Sequence, residues 1–96
     1  MFVGVARYEL RLPECASLKD KRAVLRRLHA LIRQKFNVSI GEVDHLDLWQ
    51  RATVAVSLIT DTQFHGRRVL QEIGKHVQSH PGVELLDAQT DFLAPE

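Results

Sequence analysis

The chain has 96 residues, 45% of them hydrophobic and 26% charged, with a formal net charge of +1. A length inside the roughly 50–200 residues usual for one domain predicts a single domain over 1–96, and the composition excludes both a disordered chain and a cysteine-stapled scaffold. With Cys15 as the sole cysteine no intrachain disulfide forms, MFVGVARYEL lacks the basic lead of a signal peptide, and no apolar run reaches the roughly 20 residues that span a bilayer, so a cytoplasmic protein without a membrane partner is expected.

The first element is a strand over residues 2–12, in which Tyr8, Leu10 and Leu12 alternate with Arg7, Glu9 and Arg11 and give one apolar and one charged face. Pro13 ends it, and PECA leads to a helix that Ser17 can cap, with Asp20 in the third position of a capping box weakened by Asp in place of Glu. From Ser17 to about Phe36 the residues Leu18, Val24, Leu25, Leu28, Leu31, Ile32 and Phe36 recur at helical spacing and predict a long amphipathic helix. VSIGEV then suggests a short strand, and DHLD a turn of residues that bond their own backbone.

Trp49 to Ile59 reads as a third strand, with Ala52, Val54, Val56 and Leu58 on one face and Arg51, Thr53, Ala55 and Ser57 on the other. Asp61 or Thr62 can cap a second helix carrying Phe64, Val69, Leu70, Ile73 and Val77, weakened by Gly66 and Gly74 and stopped at Pro81 and Gly82. VELLDAQTDFL closes the chain as a strand. The order β-α-β-β-α-β predicts an α+β ferredoxin-like sandwich: a four-stranded antiparallel sheet, two helices on one face, and the other face free.

SLKDKR at the start of the first helix, KFNVSIGEVDH, DLWQRA and HPGVELL occur in the order that characterises the YlxP-like family of small bacterial proteins, which this chain resembles over nearly its whole length. Asp20 stands where that family's helix opening is expected to hold Glu. The resemblance implies a ferredoxin-like fold and no established reaction. It also implies, by gene neighbourhood with translation initiation and ribosome maturation factors, a place near the ribosome or RNA.

The charge is segregated. Residues 17–36 hold Lys19, Lys21, Arg22, Arg26, Arg27, Arg33 and Lys35 against Asp20 alone, whereas residues 37–96 are acidic. At about 100° per residue, Lys19, Arg22, Arg26 and Arg33 share a wedge of about 60° beside the apolar stripe, with His29 at its edge, in a row about 21 Å long. Such a row can meet two or three phosphates of a nucleic-acid strand. The competing interpretation is a solvated face whose cations pair with Glu42, Asp44 and Asp47. Lys21 points toward the apolar stripe and is expected to lay its stem over the core edge.

Glu42, Asp44, His45 and Asp47 offer metal-ligand types, but their spacing is that of a hairpin tip and predicts no metal site. Trp49 and Arg51 offer a stacking surface and a cation for a base, although a single aromatic fits a core margin or a dimer contact better than a base platform. Cys15, just before a helix N-terminus, has no evident catalytic partner, and His76 with His80 lacks a third ligand. Neither a Ser-His-Asp ordering nor a glycine-rich phosphate loop is present. The sequence therefore predicts a non-enzymatic module without cofactor or small-molecule substrate. Its candidate nucleic-acid-binding residues are Lys19, Arg22, Arg26, His29, Arg33, Trp49 and Arg51, its partner RNA or a ribosomal particle. The alternative is a self-associating structural protein, a homodimer through the free sheet face or an edge strand.

Overall fold

The computed structural model describes residues 1–95. In chain order these form β1 (Phe2–Arg11), α1 (Leu18–Lys35), β2 (Ser39–Asp44), β3 (Arg51–Thr60), α2 (Gln63–Ser79) and β4 (Glu84–Leu93). The strands make one antiparallel sheet of four in the order β2-β3-β1-β4, the ferredoxin-like α+β arrangement that the alternation of elements predicts.

Strand periodicity sets which face is dry. On β1 the residues Ala6, Tyr8 and Leu10 lie opposite Val56, Val54 and Ala52 of β3, and all six are buried. Leu25, Leu28 and Ile32 of α1 and Leu70, Ile73 and Val77 of α2 complete the same core, so both helices cover this face. The residues between them, Val3, Val5, Arg7, Glu9 and Arg11 of β1 with Arg51, Thr53, Ala55, Ser57 and Ile59 of β3, form the open face. α1 packs against β2, while α2 lies across β1, β3 and β4.

Both helices begin where their capping residues dictate. The Asp20 N–H donates to Ser17 Oγ (3.0 Å), the forward half of a capping box, while the Asp20 carboxylate reaches past the cap and accepts from the Ala16 N–H (2.9 Å). At the start of α2 the His65 N–H donates to Thr62 Oγ1 (3.1 Å). α2 sits low over the sheet: a Cβ on Gly66 would stand 2.7 Å from Thr60 Cγ2 and 2.8 Å from Phe92 Cε1. The Tyr8 hydroxyl donates to the Leu70 carbonyl (2.8 Å), and burial pushes its pKa up to about 12.

Three expectations change. Phe64 is not in the core but 73% exposed, because at 100° per residue it stands about 160° from the Gly66, Leu70, Ile73 and Val77 stripe; its ring lies beside the Arg68 guanidinium instead. β3 begins at Arg51 rather than Trp49: Gln50 Nε2 donates to the carbonyls of Pro13 and Cys15, fastening the chain to the β1–α1 connection and leaving Trp49 in the hairpin linker, 52% exposed. Lys21 is no edge residue. It is 1% exposed, in the middle of the α1 stripe, where its ammonium meets the hairpin instead of water.

Candidate functional site

α1 carries Lys19, Arg22, Arg26 and Arg33 along one flank of its core stripe of Leu25, Leu28 and Ile32. Lys19, Arg22 and Arg26 are exposed, and among the described residues none of the three makes an ion pair. Of the carboxylates that the competing interpretation assigns to them, two are engaged elsewhere, and Asp47 makes no ion pair with any of the three. Glu42 Oε2 lies 2.6 Å from Lys21 Nζ, and Asp44 Oδ1 accepts from the His45 N–H (2.7 Å). Three cations in successive turns thus face solvent over about 10 Å of helix.

The other two members of the row have partly different surroundings. Arg33 extends the line but donates through Nη2 to the Ile40 carbonyl of β2 (3.1 Å). His29 is half-buried, and its Nε2 is enclosed without a hydrogen-bond partner. Burial above all, then the Arg33 charge, lower its pKa against an opposing pull from Glu42, so the ring adds less positive charge to the row than an ordinary histidine would.

The hairpin beside the start of α1 is held from below. Lys21 Nζ donates to the carbonyls of His45 (2.9 Å), Arg51 (3.3 Å) and Leu46 (3.4 Å) and pairs with Glu42, so one buried ammonium fixes both arms of the β2–β3 connection against the helix. His45 adopts φ 60°, a left-handed conformation that His tolerates better than most side chains. That turn sends its carbonyl toward Lys21 and its ring to the open face, where Nε2 lies 3.8 Å from Glu9 Oε2. Above this anchored base Leu46, Leu48 and Trp49 are exposed apolar side chains at the tip.

The seven residues nominated from the sequence are therefore not one constellation. Lys19, Arg22, Arg26 and Arg33 share the flank of α1, and Trp49 stands on the hairpin that Lys21 ties to the same helix. Arg51 belongs to the opposite face of the sheet, paired in register with Arg11. Its Nε is enclosed without a partner. On that face Glu9 is the hub: Thr53 Oγ1 donates to it (2.7 Å), and Arg7 Nη2 lies 3.7 Å away.

Lys21 with Glu42 is what sequence reasoning missed. The signal was present, since Lys21 falls at the centre of the apolar stripe, where a lysine needs an acceptor. Cys15 and His45 are not brought together by any contact. Cys15 lines a concavity with Asp20, Arg27 and Gly82, and burial, aided by the Asp20 charge, raises its pKa, the reverse of thiolate activation at a helix N-terminus.

Residues 3–90 match the family model described as a protein of unknown function, DUF503. The uncharacterized protein YlxP of Bacillus subtilis (strain 168) is 32% identical over 90 residues, an alignment covering 94% of this chain and 98% of that protein. Among solved structures, the de novo designed protein Foldit4 superposes over the whole of both chains with a TM-score of 0.56 at 11% identity, a likeness of fold alone. No helix among the described residues is long and apolar enough to cross a membrane.

Proposed function

We propose, for a chain that belongs to the DUF503 family of proteins of unknown function, a cytoplasmic, non-enzymatic binding role in which the flank of α1 contacts RNA, free or within a ribosomal particle. Lys19, Arg22 and Arg26 take successive phosphates, Arg33 adds a contact at the far end, and Trp49 on the hairpin stacks against an unpaired base. The observation that carries this reading is the absence, among the described residues, of any acidic partner for the three exposed cations. An amphipathic helix loses stability when like charges neighbour each other. A row left unpaired in a chain that carries twelve carboxylates therefore favours an external polyanion.

The test is the variant Arg22→Glu with Arg26→Glu, titrated with total ribosomal RNA over a salt series. The expected result is binding weakened at least tenfold with the thermal transition unchanged. Equal binding by variant and parent at every salt concentration would sink the reading.

Self-association is the second reading. It is favoured by the apolar end of the open face, where Ile59 (75% exposed) and Leu93 (58% exposed) flank Val3, with Val5 next along β1. Sedimentation at high protein concentration decides it: a dimer supports it and a monomer removes it.

A further inference from the structure

The sheet has two outer edges, and the fold treats them differently. β2 is six residues long, its pairing is interrupted between Glu42 and Asp44, and the Arg33 guanidinium reaches its Ile40 carbonyl. Short strands, bulges and cations are the usual means by which proteins block an edge. β4 is ten residues long and pairs only with β1. Its register breaks opposite Glu9 and Leu10 but runs unbroken from Asp87 to Leu93. It contains neither proline nor a cation.

α2 covers this strand only in part. Ala88 and Thr90 share the helix-side register of Tyr8 and Ala6, yet both are exposed; only Leu85 and Phe92 are partly covered. The guard is local: the Asp91 carboxylate takes the Phe92 N–H at 2.8 Å. A long unblocked edge is a template for an added strand, in which main-chain hydrogen bonds supply affinity and alternate side chains supply selectivity.

Charge selects the occupant. Asp87 and Asp91 lie on the open-face side of β4, opposite Glu9 and Val5, whereas Glu84 is paired with Arg11 at 4.0 Å. A second copy pairing antiparallel about Gln89, the register that would pair the whole Asp87–Asp91 stretch, would set Asp87 of each chain against Asp91 of the other, which is destabilising across strands. A segment carrying Lys or Arg at alternate positions meets them with opposite sign. Beside Asp91 the open face has a concavity of about 560 Å³ lined by Val5, Arg7, Gln89 and Leu93, which offers room for one apolar side chain in the same segment.

We propose that the β4 edge takes up an extended basic peptide segment as an additional strand, paired along Asp87–Leu93. This edge is separated from β2 by the width of the sheet, so the proposal does not depend on RNA binding by α1.

The probe is a synthetic peptide of about nine residues alternating lysine with valine, long enough to pair with that segment at roughly 3.3 Å per residue. Amide hydrogen exchange of the full chain should show new protection within residues 87–93 and none in β2. The same peptide N-methylated at two adjacent central residues keeps its charge but cannot pair on either edge, and should bind at least tenfold more weakly. Asp87→Lys with Asp91→Lys should weaken the unmodified peptide by a similar factor, whereas Arg22→Glu with Arg26→Glu should leave it unchanged. Equal binding by the N-methylated peptide, or protection outside β4, overturns the proposal. So does protection of β4 that grows with protein concentration without peptide, which would identify a second copy as the occupant.

Discussion

Lys21 shows how much one side chain can organise. Its ammonium is 1% exposed and meets three carbonyls and the Glu42 carboxylate, so shortening it would leave buried acceptors and a largely enclosed carboxylate without a partner. Lys21→Met is expected to cost about 3–5 kcal/mol in urea denaturation, the range for breaking one side of a buried pair. A cost below about 1 kcal/mol would mean that the clamp contributes little. His29 supplies a pH dependence. Its folded pKa lies below the ordinary 6.5, because burial and Arg33 oppose the charged form. The unfolded state then binds the proton more tightly, so stability present above 6.5 is lost as pH falls through that value toward the folded pKa. His80, lowered by burial and then by Arg27, acts in the same direction. Denaturation midpoints should therefore decline from pH 7 to pH 5, and His29→Gln should flatten part of that decline.

At the scale of the element, α2 carries two glycines with opposite consequences. At Gly66 an added methyl would collide with Thr60 and with the Phe92 ring of β4, forcing the helix off the sheet; at Gly74 it would rest 3.5 Å from the Tyr8 ring, an ordinary contact. Gly66→Ala should therefore destabilise by about 1–3 kcal/mol through overpacking. Gly74→Ala should stabilise by about 0.5–1 kcal/mol, as a helix interior gains from losing glycine. Thermal melts of the two variants distinguish the sites, and a shared sign would contradict the packing argument. The helix pattern alone marks both glycines as weak points. Only the height of α2 over β1 and β4 separates them.

For the whole molecule the relevant property is where the charges end up. The sequence divides into a basic stretch, residues 17–36, and an acidic remainder, which raises the prospect of mutual neutralisation. Folding places Glu42 beneath the hairpin with Lys21, Glu84 across from Arg11, and Asp87 and Asp91 on the far edge of the sheet, so Lys19, Arg22 and Arg26 keep their charge toward solvent. If those three meet phosphates, the log–log salt slope of RNA binding should be shallow. The double variant Arg22→Glu with Arg26→Glu should reduce its magnitude by about 1.4–1.8, at roughly 0.7–0.9 per contact. A slope unchanged by the substitutions would assign the affinity to other residues.

Local patterning was enough for the elements and their order. The alternation in β1 and β3, the apolar stripe of α1, the capping residue Ser17 and the choice of Asp61 or Thr62 for α2, which the structure resolves to Thr62, are all short-range features, each read within a few residues of itself. What no such window contains is the partner of a side chain across the fold. The burial of Lys21 beneath His45, the engagement of Arg33 with Ile40 and the exposure of the middle of β4 all depend on how separate elements meet. Periodicity fixes the face on which a residue lies, whereas hydrogen-bond partners, charge pairing and the covering of an edge are set by distances that exist only after the chain has closed on itself.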